Sequence, residues 1–202
     1  MREKDHIITD EDSRLVSLCQ KGDLGAFEEL VRRHEKKILN IAYRMIGNYE
    51  EACDVVQDAF VSAYKNIKSF KGMSKFSTWL STIVINLSKK RLNQLRTQRF
   101  REPLSVNEHI SIGDDQMILE PPSSDPLPDE ILEKENIQEK LQLCLDRLDN
   151  EFREVVVLRE MQGFSYEDIS SMLKIAEGTV KSRLFRARVL LKNCLKRFIG
   201  VI

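Results

Sequence analysis

Residues 177–188, EGTVKSRLFRAR, hold four basic side chains, one acid and a phenylalanine. Wound as a helix at about 100° per residue, Val180, Leu184, Ala187 and Leu191 fall on one side. Ser182, Phe185 and Arg186 fall on the other, with Lys181 and Arg188 at the flank. A helix that already has an apolar stripe has no packing need for a Phe among arginines on its outer face. On these twelve residues alone, a solvated surface helix with one exposed aromatic explains the pattern as well as a binding surface does.

The preceding stretch, GFSYEDISSMLKIA, decides between them. Gly163 ends one helix and Ser165 caps the next, with Asp168 three residues on as the partner of a capping box. Ile169, Met172 and Leu173 face inward, and a short turn through Lys174, Ile175 and Ala176 leads into the quoted segment. Helix, short turn and basic helix make the helix-turn-helix pattern, whose second helix enters the major groove of DNA. There an Arg bonds guanine in bidentate fashion, a Ser bonds either base type, and an apolar group meets a thymine methyl. Phe185 then has a reason to be outside.

Further upstream the chain reads as helices. GDLGAFEELVRRHEKKILNIAYRMIGN places Phe27, Leu30, Val31, Ile38, Ile41, Ala42 and Met45 at helical spacing, closed by Gly47-Asn48. Asn48 caps the next helix, which turns Ala52, Val55, Ala59, Ala63 and Ile67 inward. KSFKGMSK breaks the period at Gly72 and reads as a loop. A third helix starts near Ser77, packs Leu80, Ile83, Val84 and Leu87, and becomes strongly basic in its second half. The tract 102–133 holds all five prolines and no sustained period, which reads as a solvated linker. From 134 two more helices, broken near Asp149-Asn150, lead back to the helix-turn-helix. The expected fold is all-α: a helical bundle over 1–101, a flexible acidic linker over 102–133 and a helix-turn-helix domain over 134–202.

A net charge of zero conceals how the charges are sorted. Between Asp58 and Glu102 there are ten basic residues and no acid; from Glu102 to Glu133 there are nine acids and no Lys or Arg. After Glu177 come seven basic residues and no acid. Two basic surfaces separated by an acidic tract point to polyanion contact. No apolar run approaches the roughly 20 residues of a membrane span, and the charged amino terminus has no apolar h-region. Cys19, Cys53, Cys144 and Cys194 lie far apart with no CxxC pair, so the expectation is reduced thiols in a cytoplasmic protein.

These residues resemble a bacterial RNA polymerase sigma factor of the extracytoplasmic-function (ECF) group of the sigma-70 family. FSYEDISSMLKIAEGTVKSRLFRAR is similar to the region 4 helix-turn-helix, GTVKSR with RAR being its more specific part. GDLGAFEELVRRH, ACDVVQDAFVSAYKNI and FSTWLSTIVINLSKKRL are similar, in order and spacing, to region 2. The resemblance implies that region 4 reads the −35 promoter element as duplex. Ser182, Phe185 and Arg186 would then meet bases, Lys181, Arg183 and Arg188 would meet phosphates, and Thr179 would complete the surface. It implies that region 2 captures a flipped base of the separated −10 strand in the loop FKGMSKF. Phe70, Phe76 and Trp79 offer stacking surfaces there, and Lys71, Gly72 and Ser74 the polar cradle. Asn86 would read a base edge and Lys89, Lys90 and Arg96 suit phosphates; core packing explains Phe76 and Trp79 equally well.

The second helix carries Glu50, Asp54, Gln57 and Asp58 on one face. Carboxylates repel phosphate, so a protein partner explains them better than DNA does; the resemblance implies the β′ coiled coil of the polymerase core, with the β subunit as a further contact. Many members of the family are held inactive by an anti-sigma factor, which the resemblance adds as a partner. No phosphate loop, metal-spaced His/Cys cluster or nucleophile-base pairing appears, so no enzyme activity, metal, cofactor or small-molecule substrate is expected. The alternative from another class is a free-standing helix-turn-helix regulator that binds a palindrome as a dimer.

Overall fold

The computed structural model describes residues 11–101 and 128–199. The tract between them, which holds most of the expected linker, lies outside the described residues. Eight α-helices follow in order: α1 Ser13–Gln20, α2 Leu24–Ile46, α3 Tyr49–Asn66, α4 Phe76–Arg101, α5 Pro128–Asp146, α6 Asn150–Val156, α7 Tyr166–Leu173 and α8 Glu177–Ile199. A 3₁₀ turn, Ile67–Ser69, follows α3, and a π-helical segment, Val157–Met161, extends α6. There is no strand among the described residues, and no described helix is long and apolar enough to cross a membrane.

Local chemistry sets the helix ends. The Asp23 side chain accepts from the Ala26 amide at the start of α2, and the Asn48 side chain accepts from the Glu51 amide at the start of α3. Between them Gly47, at φ 82°, closes α2 in the left-handed region that L side chains rarely adopt. The expected capping box on α7 is present, with Ser165 and Asp168 each bonding the other's backbone amide. The turn after α7 is closed by Lys174 at φ 56°, a non-glycine in the same region. Helix α4 starts at Phe76, next to the expected Ser77. One boundary differs from the sequence reading: α5 starts at Pro128, inside the compositional tract; a proline is well suited to a first helical position, where no amide hydrogen is required.

Helices α2, α3 and α4 pack on one another through Leu30, Ile38, Ile41, Met45, Ala59 and Leu80 among other fully buried side chains. Helix α1 is tied to this bundle by Asp12, whose carboxylate lies 2.7 Å from His34 Nε2. In the carboxy-terminal half, Leu145, Val155, Leu158, Ile169, Val180 and Leu184 form the buried centre beneath α8. One expectation is overturned: Cys144 on α5 and Cys194 on α8 form a disulfide, with 5.8 Å between Cα atoms. Fifty residues of sequence separate them, so spacing alone could not reveal that the packing of α5 against α8 brings them together. Cys19 and Cys53 are free thiols.

Candidate nucleic-acid interface

Helix α8 divides as its sequence suggested. Val180, Leu184, Ala187 and Leu191 are buried, whereas Phe185 is 68% exposed, with Ser182 and Arg186 also outside. The Ser182 hydroxyl donates to the Thr179 carbonyl, which leaves its oxygen lone pairs outward. Lys181 stands 3.7 Å from Glu177 and 5.4 Å from the centre of the Tyr166 ring, so the first turn of α7 and that of α8 share one surface.

The remaining arginines are more constrained. Arg188 donates to Glu160 through Nε at 3.1 Å and Nη2 at 2.6 Å, and its pKa is raised, chiefly by those hydrogen bonds. Arg183 is turned inward: Nη2 lies 2.7 Å from Glu151 and Nη1 3.5 Å from Glu154, both on α6. Of the four basic residues in the opening stretch, Lys181 and Arg186 are therefore the ones displayed without a carboxylate of α6 or its extension upon them. The carboxylates that hold the other two were missed in the sequence. Their signal was available: Arg153-Glu154 is a charged pair inside the apolar run from Phe152 to Leu158, and a buried charge needs a partner.

The loop before α4 is built on aromatics. Phe70 and Trp79 have ring centres 4.9 Å apart, and Phe76 lies 5.8 Å from Trp79. Phe76 is only 1% exposed and also packs against His34. It is thus the floor beneath the other two rings, and an incoming base would meet Phe70 and Trp79 instead. Gly72 takes φ 69° at the loop tip, with Lys71 exposed and Ser74 half-buried beside it. Gln20, which the sequence reading did not single out, donates to the carbonyls of Ile67 and Phe70 at 3.0 and 2.9 Å. It pins the turn that enters the loop. Along α4, Asn86, Lys90 and Arg96 are exposed and Lys89 is half-buried.

Glu50, Asp54, Gln57 and Asp58 all lie exposed on α3. Asp54, Gln57 and Asp58 form one wall of a shallow groove of about 430 Å³, and Lys90, Arg91 and Gln94 of α4 form the other. Arg91 bonds Glu51 across it. The acidic face and the basic helix are therefore neighbours, and the Arg91–Glu51 pair marks their border.

Residues 30–99 match the family model for sigma-70 region 2, and residues 138–191 match that for sigma-70 region 4. The chain is 34% identical to the RNA polymerase sigma-H factor of Pseudomonas aeruginosa over 189 residues, 93% of this chain and 95% of the relative. The chain belongs to the ECF group of the sigma-70 family. The ECF sigma-E factor of Escherichia coli is likewise 34% identical over 190 residues, 93% of this chain and 96% of that one. Among solved structures, a complex of CnrH with the cytosolic domain of CnrY superposes with a TM-score of 0.66 at 26% identity, over 93% of this chain and 99% of that one. The sigma factor RpoE bound to the anti-sigma factor NepR from Bartonella quintana gives 0.61 at 26%, over 87% and 98%. As an alternative sigma factor the chain directs transcription, and the free-standing regulator is set aside. The region 2 match spans the aromatic loop, α3 and the basic α4; the region 4 match spans the whole helix-turn-helix.

Proposed function

We propose that this sigma factor reads duplex −35 DNA with α8 and separated −10 DNA with the Phe70–Phe76 loop and α4, while the acidic face of α3 holds the polymerase core. The working units in this reading are 1–101 and 134–202, joined by 102–133, and the site of action is the cytoplasm, where core polymerase and promoter DNA are found. The observation that carries the α8 assignment is the outward group Ser182, Phe185 and Arg186 on a helix whose opposite face is buried. A hydroxyl and, one turn on, an aromatic edge and a guanidinium on the same face suit base edges. Thr179, Lys181 and Arg188 suit the flanking phosphates, and Arg183 joins them on release from α6.

At the −10 element the carrying observation is the adjoining, tilted pair Phe70 and Trp79 above the buried Phe76. A base that has left its duplex can stack there; one still in the duplex cannot. Lys71, Gly72 and Ser74 would cradle it, with Asn86 on a base edge and Lys89, Lys90 and Arg96 along the backbone. The core, through β′ and β, is the partner for Glu50, Asp54, Gln57 and Asp58, and an anti-sigma factor is the partner that would withhold the chain from it. The test is co-elution of the purified chain with bacterial core polymerase, followed by initiation on a matching promoter. Asp54→Lys with Asp58→Lys places like charge against a basic partner, which costs several kcal/mol. Core binding should fall sharply; co-elution of that variant at the unaltered level would remove α3 from the interface.

A further inference from the structure

Helix α1 is short, and Val16 and Cys19 are its buried side chains. It lies ahead of the residues that match region 2. Its polar contacts are more telling, because both ends of the helix reach the aromatic group around the loop before α4. At the carboxyl end, Gln20 Nε2 donates to the Ile67 carbonyl at 3.0 Å and to the Phe70 carbonyl at 2.9 Å. A primary amide carries two hydrogens on one nitrogen, so a single side chain serves both acceptors. At the amino end, the N-cap residue Asp12 is 7% exposed and its carboxylate lies 2.7 Å from His34 Nε2. The centre of the His34 ring is in turn 5.4 Å from that of Phe76, the floor of the aromatic group.

These contacts fall where the loop has little support of its own. Lys71, Met73 and Lys75 are exposed, and the Ser74 hydroxyl reaches the neighbouring Lys75 carbonyl at a long 3.4 Å. Phe70 leaves the 3₁₀ turn in extended backbone, at φ −70° and ψ 114°. The direction of its carbonyl is set by ψ, so a donor held on that oxygen fixes the course of the chain into Lys71 and Gly72. The Phe70 ring stands on the same residue, 4.9 Å from Trp79. A side chain that grips the backbone at both ends of the turn therefore also sets the rim of the aromatic pair.

We propose that Gln20 is a positioning residue for base capture: from outside the loop it fixes the entry of Phe70 beside Trp79, while Asp12 and His34 steady the floor beneath. The inference rests on the reading of the Phe70–Phe76 loop as the −10 pocket. Gln20 touches no base itself. Without its donor the loop has more conformations, and capture is weakened by the fraction of chains that hold the competent one. Loss of two neutral hydrogen bonds lowers that fraction about tenfold. A strand with the wrong base at the pocket binds without capture and loses nothing, so the effect appears as lost preference at one position.

The test uses holoenzyme, the full chain reconstituted with bacterial core polymerase, and a pool of single-stranded DNA with a run of random positions. Sequencing the bound fraction gives the base preference at each position, the most strongly selected one marking the captured base. Gln20→Met keeps the length of the side chain and removes the donor, whereas Gln20→Lys keeps a donor. Gln20→Met is expected to lose about tenfold in preference at the captured position. Preference elsewhere, co-elution with core, and helicity by circular dichroism should not change. Gln20→Lys should retain most of the preference, whatever its charge adds to binding at every position. Unchanged preference with Gln20→Met would overturn the proposal. An equal loss at every position would overturn it too, because that is the mark of a general structural role. A parent holoenzyme that selects no base anywhere would instead sink the reading of the loop itself, before any variant is compared.

Discussion

Single residues carry different kinds of information on α8. Arg186 and Ser182 face outward with chemistry that distinguishes bases, whereas Lys181 offers a charge on a flexible stem. Arg186→Ala is expected to cost about 1–3 kcal/mol on a cognate −35 duplex and much less on random duplex. Lys181→Ala should weaken both alike and flatten the dependence on salt. Competition anisotropy at several salt concentrations separates the two, and equal losses for Arg186→Ala on both duplexes would end its assignment to a base. The cysteines differ as sharply. Burial raises the Cys19 thiol above its ordinary pKa, with the nearby Asp23 charge adding to the effect. Less thiolate and little access mean slow alkylation. In the folded, unreduced chain iodoacetamide should modify the half-buried Cys53 well before Cys19, and leave Cys144 and Cys194 untouched until a reductant is added. Mass mapping that finds Cys194 modified first would contradict the disulfide.

At the scale of elements, the caps and periods were open to sequence reading because each depends on neighbours within four residues. Asn48, Gly47 and the Ser165–Asp168 box are all of this kind. Ser165→Ala is expected to destabilise the helix-turn-helix by about 1 kcal/mol, seen as faster hydrogen exchange in α7 with α2–α4 unaffected; equal protection would show that the box is dispensable. The division of α8 into buried and outward faces was legible for the same reason. What escaped was whatever needed distant parts of the chain. Phe76 has the same spacing signal as Trp79, but only packing against His34 and Phe70 makes it floor rather than surface. Arg183 looked like a third displayed cation until α6 folded beneath it and presented Glu151 and Glu154. The start of α5 was hidden because prolines and acids mark a linker by composition, and the same residues also suit the first turn of a helix.

For the whole molecule, the sorted charges foretold two basic surfaces but not their mutual arrangement. The buried apolar residues of the two halves form one continuous core, and Arg153 and Gln142 add hydrogen bonds to carbonyls near the end of α2.

The Cys144–Cys194 bridge makes a covalent ring of α6, α7 and the first turns of α8. When that part of the chain unfolds, its ends remain joined, and the disordered state has fewer shapes to explore. For a loop closed over 50 residues, chain entropy alone assigns this restriction about 4 kcal/mol, a large share of what holds a small domain together. Reduced, the same helices have to meet by packing alone, and a reductant should lower thermal stability in this half of the chain while sparing α2–α4. Promoter recognition would then be tied to the thiol balance of its surroundings through the endurance of a fold, with no change in any atom that touches DNA.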